Sequence, residues 1–172
     1  MQRIAIIGNA GGGKSVLARK LGDLLGFPVY QFDDLQWRPS WTRTPEEEVR
    51  ATHSAWLAQP KWVIDGWGSH EILARRFKAA DTIILVDFPI AIHYWWAAKR
   101  QLKAALHLNH GWPPEGCDAL PVTGRLFKLM WKIHQEMLPP LVELIHQYSQ
   151  DTLTIHLKSP HEMRRFLKSI DE

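Results

Sequence analysis

A lysine, a serine and several aspartates stand in this chain at spacings suited to handling a polyphosphate. Gly8 to Ser15 read GNAGGGKS, matching G-x-x-x-x-G-K-[ST], where small residues let the backbone curl around phosphate with its N–H groups turned inward. The expected nucleotide-binding residues are therefore Gly8, Asn9, Ala10, Gly11, Gly12, Gly13, Lys14, Ser15 and Val16. Lys14 is placed to reach the β and γ phosphates and act in catalysis, and the Ser15 hydroxyl to ligate Mg²⁺. Asp33-Asp34, Asp65 and Asp87 each follow an apolar run. A carboxylate so placed holds Mg²⁺ through water or takes a proton from an attacking hydroxyl, though an Asp at a strand end is also a common turn or cap residue. Trp62-Val63-Ile64-Asp65-Gly66 has the form of a Walker B element, which pairs Asp65 with Ser15 at the metal. Asp87, before Phe88-Pro89, fits the start of a helix.

Cations count equally, because phosphoryl transfer is catalysed by positioning and by neutralising developing charge. Arg75 and Arg76 follow the Asp65 run. Trp96, Arg100, Lys103 and His107 share one helical stripe, and Arg125, Lys128 and Lys132 another; these are either a phosphate clamp or a solvated basic face. Nine tryptophans are present. Trp37, Trp41, Trp67 and Trp112 fall in loop-like segments where a ring can floor a substrate pocket, whereas Trp62, Trp95 and Trp131 fall in periodic segments and read as core. His107, His110 and Cys117, with Asp118, raise the idea of a zinc-bearing segment, against which the adjacency of Cys117 and Asp118 argues.

The elements that must carry these groups alternate. Strand-like runs lie at Arg3 to Ile7, Val29 to Phe32, Trp62 to Asp65, Thr82 to Asp87 and Thr152 to Leu157, with helical signals between them. The pattern predicts an α/β, doubly wound, five-stranded parallel sheet, with ligands at the carboxyl ends of the strands where the acids sit. Thr44-Pro45-Glu46-Glu47-Glu48 and Ser159-Pro160-His161-Glu162 are helix starts, and helices are expected over 71–78 and 90–108. Residues 109–124, with three prolines and three glycines, read as a mobile lid. Pro139-Pro140 should break the following helix by pushing Leu138 out of helical conformation.

One domain spanning 1–172 is expected from 172 residues with 45% hydrophobic content. A net charge of +3, with no long block of like charge, is explained by small phosphate ligands; nucleic acid is a possible partner but not the favoured one. The single cysteine excludes an internal disulfide framework, and neither a leader nor a membrane-length apolar run is evident. A cytoplasmic setting is expected.

With GNAGGGKS, FDDLQW, RPSW, WVIDG and ADTIILVDFP in place, the chain resembles the small P-loop kinase-like proteins related to adenylate kinase, often labelled topology modulation proteins. The resemblance is close over roughly the first hundred residues and loose beyond. It implies a kinase-type sheet, ATP with Mg²⁺ on the Gly8–Ser15 loop, base recognition by backbone near Lys158 to His161, and a small-molecule acceptor. The acceptor side would be built from Asp33, Asp34, Trp37 and Arg76, and Asp33 and Arg100 would join Lys14 in catalysis. The chain departs from that pattern at Trp67-Gly68 and in a lid poor in arginine. The leading expectation is thus a kinase passing the γ-phosphoryl group of ATP to a small hydroxyl- or phosphate-bearing acceptor. The alternative is a nucleotide-dependent regulatory or DNA-associated protein. A GTPase reading fits Asp65-Gly66-Trp67-Gly68 as D-x-x-G but lacks N-K-x-D.

Overall fold

The computed structural model describes residues 1–106, 108 and 113–171. The chain opens with strand β1 (Arg3–Gly8), whose Ile4 to Ile7 are wholly buried, as a strand covered on both faces must be. Helix α1 (Lys14–Leu25) follows, then β2 (Val29–Gln31), a short helix α2 (Phe32–Gln36) and a hairpin of β3 (Trp37–Arg38) and β4 (Thr42–Arg43). Next come α3 (Glu46–Leu57), β5 (Trp62–Asp65), α4 (His70–Ala79), β6 (Thr82–Val86) and α5 (Ile90–Ala105). Helix α6 (Thr123–Lys132), a π turn (Ile133–Met137) and α7 (Leu138–Tyr148) lead to β7 (Leu153–Leu157) and α8 (Pro160–Asp171).

The five-stranded sheet has the order β2-β5-β1-β6-β7 and is parallel throughout. Alternation along the strands sends their residues to two cores. Ala5, Ile7, Ile64, Ile83 and Leu85 pack with Leu73 and Phe77 of α4 and Leu141 and Ile145 of α7. Ile4, Ile6, Val63, Ile84 and Val86 pack with Leu17 and Leu21 of α1 and Met163 of α8. β1 is central, so the loop that leaves it emerges between β5 and β6, flanked by the carboxyl end of β5 with Asp65.

Four features differ from the sequence reading. Asp33 and Asp34 do not close β2; they open α2, where acidic side chains suit the positive end of the helix. The β3–β4 hairpin has strands of two residues and no alternating pattern to betray it, and its tip holds Ser40 and Trp41 at φ 61° and 58°. Leu138 keeps helical angles (φ −68°, ψ −44°), because the π turn takes up the disruption and Pro139 falls in the first turn of α7, where no N–H is needed. Trp95 and Trp131 are 60% and 52% exposed, so they lie on the outer faces of α5 and α6, while Trp62 is core as expected. No helix among the described residues is long and apolar enough to cross a membrane.

The expected lid is partly tied down. Ser40 N–H donates to the Gly116 carbonyl at 2.9 Å, the Trp41 indole to the Asp118 carbonyl at 2.9 Å, and the buried Cys117 thiol to the Arg38 carbonyl at 3.4 Å. Residues 116–118 therefore rest on the hairpin. His107, His110 and Trp112 lie outside the described residues. No group of three potential metal ligands occurs among the described residues, in which the Cys117 thiol faces the Arg38 carbonyl.

Candidate functional site

The loop between β1 and α1 is held from outside by donors to its carbonyls. Trp67 gives its indole N–H to the Gly8 carbonyl at 2.7 Å, and the Lys14 ammonium donates to the Asn9 carbonyl at 2.8 Å. His93 Nδ1 lies 3.0 Å from the Ala10 carbonyl, which can only accept, so that nitrogen carries the proton. The Asn9 side chain is buried; its Oδ1 accepts from Ala10 N–H and its Nδ2 donates to the Met130 carbonyl of α6, both at 2.8 Å. Gly13 then begins α1 in left-handed conformation (φ 76°), a turn that presents the first free N–H groups of the helix to the loop's interior. Val16 is exposed on the first turn.

Ser15 and Asp65 meet at the mouth of this loop. The Ser15 hydroxyl donates to Asp65 Oδ2 at 2.8 Å, and Asp65 is only 3% exposed. Burial pushes its pKa up to about 6, opposed by the Ser15 hydrogen bond and the Lys14 charge. Asp65 Oδ1 is buried without a hydrogen-bond partner. A hydroxyl and a carboxylate with a vacant buried oxygen are a donor set that suits Mg²⁺, a hard cation preferring oxygen. Burial also lowers the Lys14 pKa, against the pull of Asp33 and Asp65.

Asp33 ties this pair to the acceptor side. It is exposed, and its charge acts on Lys14, Asp65, Arg76 and Arg100 alike. Asp34 beside it has a raised pKa, from burial first and from Asp33 second. Arg100 reaches the cluster from α5; burial lowers its pKa and Asp33 opposes the shift. Trp37 is half-buried one turn beyond Asp33, its backbone N–H capping α2 at the Asp33 carbonyl. Arg43 sits 5.4 Å over its ring and Trp41 meets it edge-on at 5.6 Å.

Arg76 lies beneath the site rather than in it. Its side chain has no exposed surface: Nη1 donates to the Gly66 carbonyl at 2.6 Å, Nε to His53 Nε2 at 3.3 Å, and the guanidinium stacks 4.9 Å from the Phe32 ring. Burial brings its pKa down to about 10. His53, equally buried, is driven to about 3 by burial and by the charges of Arg76 and Arg75, so it stays neutral and accepts from Arg76. The pair fixes the turn that carries Asp65-Gly66.

The remaining candidates disperse. Asp87 is engaged with His156 at 3.0 Å on β7. Lys103, Arg125, Lys128 and Lys132 are exposed. Lys158 N–H, in the segment expected to read the base, is taken by Glu162 at 2.7 Å in a reciprocal cap with Ser159. Sequence reasoning missed His93, Asn9's bridge and His53, and it read Trp67 as a pocket floor where the structure has it bracing the Gly8 carbonyl. Each acts across the fold, His93 on a carbonyl 83 positions away, and leaves no local pattern.

No protein-family model and no curated protein matches the chain. Among solved structures, it is similar to shikimate kinase from Acinetobacter baumannii in complex with shikimate, at TM-score 0.56 and 13% identity over 99% of this chain and 90% of that one. A gluconokinase from Sinorhizobium meliloti 1021 gives TM-score 0.49 and 12% identity over 98% and 95%. The first likeness shows the fold: a five-stranded parallel sheet flanked by helices, an α/β architecture shared with that shikimate kinase.

Proposed function

We propose that the chain is an ATP-dependent phosphotransferase that passes the γ-phosphoryl group to a hydroxyl of a small acceptor. The observation carrying this is the Ser15–Asp65 pair at the mouth of the phosphate loop, its carboxylate buried with one oxygen unpartnered, beside the exposed carboxylate of Asp33. The shikimate kinase of similar fold agrees with it. Mg²⁺, held by Ser15 and Asp65, would supply neutralisation of the phosphate oxygens. Lys14 leaves the Asn9 carbonyl for the β and γ phosphates, and the loop amides and the α1 N-terminus hold the chain of phosphates in line. Asp33 accepts the proton of the acceptor hydroxyl as its oxygen bonds to the γ phosphorus and the bond to the bridging oxygen breaks, leaving ADP. Arg100 balances the charge that spreads over the transferred group.

Arg76, with no exposed surface, supports the turn and does not touch the acceptor, which favours a hydroxyl over a phosphate as the accepting group. Asp34 and Trp37 line the acceptor side. The narrower kinship with adenylate-kinase-related topology modulation proteins rests on the shared segments FDDLQW, WVIDG and ADT. The test is a screen of hydroxylated metabolites, nucleosides and nucleotides for ATP- and Mg²⁺-dependent phosphorylation above intrinsic ATPase, repeated with Lys14→Ala. Native-rate transfer by Lys14→Ala rejects the assignment. The alternative, nucleotide-dependent DNA association, draws on the exposed Arg125 and Lys128 of α6, a helix without acids. DNA retention at near-physiological salt that requires ATP would favour it.

A further inference from the structure

The motif demands glycine only at Gly8 and Gly13, yet this loop also has Gly11 and Gly12. Helix α5 supplies the reason. A Cβ at Gly11 would stand 2.5 Å from the His93 carbonyl oxygen and 3.1 Å from Ala97 Cβ, and one at Gly12 would stand 2.6 Å from His93 Cε1. At Gly13 it would meet the Trp96 ring at 3.1 Å. One face of α5 is thus the outer wall of the phosphate loop, and His93 is its centre.

The His93 ring is 1% exposed and packs at 5.6 Å from Phe88. Its Nδ1–H donates to the Ala10 carbonyl, which leaves Nε2 as a buried lone pair with no partner. Burial lowers its pKa, which agrees with a neutral ring. The peptide joining Ala10 to Gly11 is planar and trans, so its N–H points opposite to its carbonyl. Pinning the Ala10 oxygen outward on His93 therefore turns the Gly11 N–H inward. The neighbouring Ala10 N–H is already consumed by Asn9 Oδ1, so the anion-facing amides begin at Gly11, the one that His93 aims.

We propose that His93 is a positioning residue of the phosphate site, setting the Gly11 amide for the nucleotide's phosphates through the Ala10 carbonyl. The proposal rests on the phosphate-binding reading above. Arg100 lies two helical turns further along α5, so the same anchor sets its height over Lys14 and Asp33.

The experiment compares wild type with His93→Phe, which fills the space without a donor, and His93→Asn, whose side-chain N–H can stand in for Nδ1–H. Calorimetry with ADP and Mg²⁺ is paired with thermal unfolding. His93→Phe should weaken Mg·ADP by about tenfold or more, the worth of a hydrogen bond to a charged group, and His93→Asn should recover most of that loss whatever either does to the melting temperature. Folded His93→Phe protein that binds Mg·ADP within about twofold of wild type, or equal losses in both variants, overturns the role of His93. If His93→Phe fails to fold, the Asn variant decides alone: near-native affinity in a destabilised protein supports the role, and loss of affinity rejects it. Wild type that binds no Mg·ADP rejects the phosphate-site reading itself, a separate outcome.

Discussion

Asp65 and His53 titrate in opposite senses within the same region of the fold. Asp65, with its pKa raised from 3.8 to about 6, keeps its proton in the folded chain where the unfolded chain has lost it, so its contribution declines as pH rises through that window. His53, lowered from 6.5 to about 3, refuses a proton that the unfolded chain accepts, so its contribution grows as pH rises from about 3 to 6.5. Each slope reaches at most about 1.4 kcal/mol per pH unit, and they cancel over their shared range. Denaturant unfolding in EDTA should give stability that rises more steeply with pH between 3.8 and about 6 for Asp65→Asn than for wild type; equal slopes contradict the assignment. Arg76→Ala should cost about 3 kcal/mol of stability, because it strips a buried stack and strands the Gly66 carbonyl and His53, and urea titration measures it. Lys14, Ser15 and Asp65 were legible from spacing alone, since a phosphate loop and a strand-end carboxylate are local patterns. Arg76 was legible as a cation near the site, but its burial depends on Phe32 and His53 folding over it from other elements.

At the level of elements, the strands were readable because Ile4 to Ile7, Trp62 to Ile64 and Thr82 to Val86 are buried without interruption. Outer helix faces were not. The α5 sequence offers apolar side chains all round, and which of Trp95, Trp96 and Leu102 faces inward depends on the loop it packs against. That packing makes Gly11 a sensitive position. Gly11→Ala introduces a side chain at φ +71° against the His93 carbonyl, so it should lower stability by at least about 1 kcal/mol and weaken Mg·ADP, as paired unfolding and calorimetry would show. The same substitution at Gly26, where φ is +68° but open space surrounds the site, isolates the backbone part of the cost.

For the whole molecule, the sheet order sets the phosphate loop at the centre, with β5 and α2 on one side and β6 and α5 on the other. A ligand that bridges both sides should stabilise the entire domain. At a concentration of Mg·ADP one hundred times its Kd, linkage adds about 2.7 kcal/mol, or about 5–10 °C in Tm for a chain this size; Lys14→Ala should show little of this shift in differential scanning fluorimetry. The chain carries one thiol, and it is sealed between the 116–118 segment and the hairpin. An alkylating reagent can reach it only in moments when those two surfaces part. Cys117 is thus a built-in stopwatch: its labelling rate in native buffer, divided by that of a free thiol, should be well below one and should return the fraction of time the seal is broken.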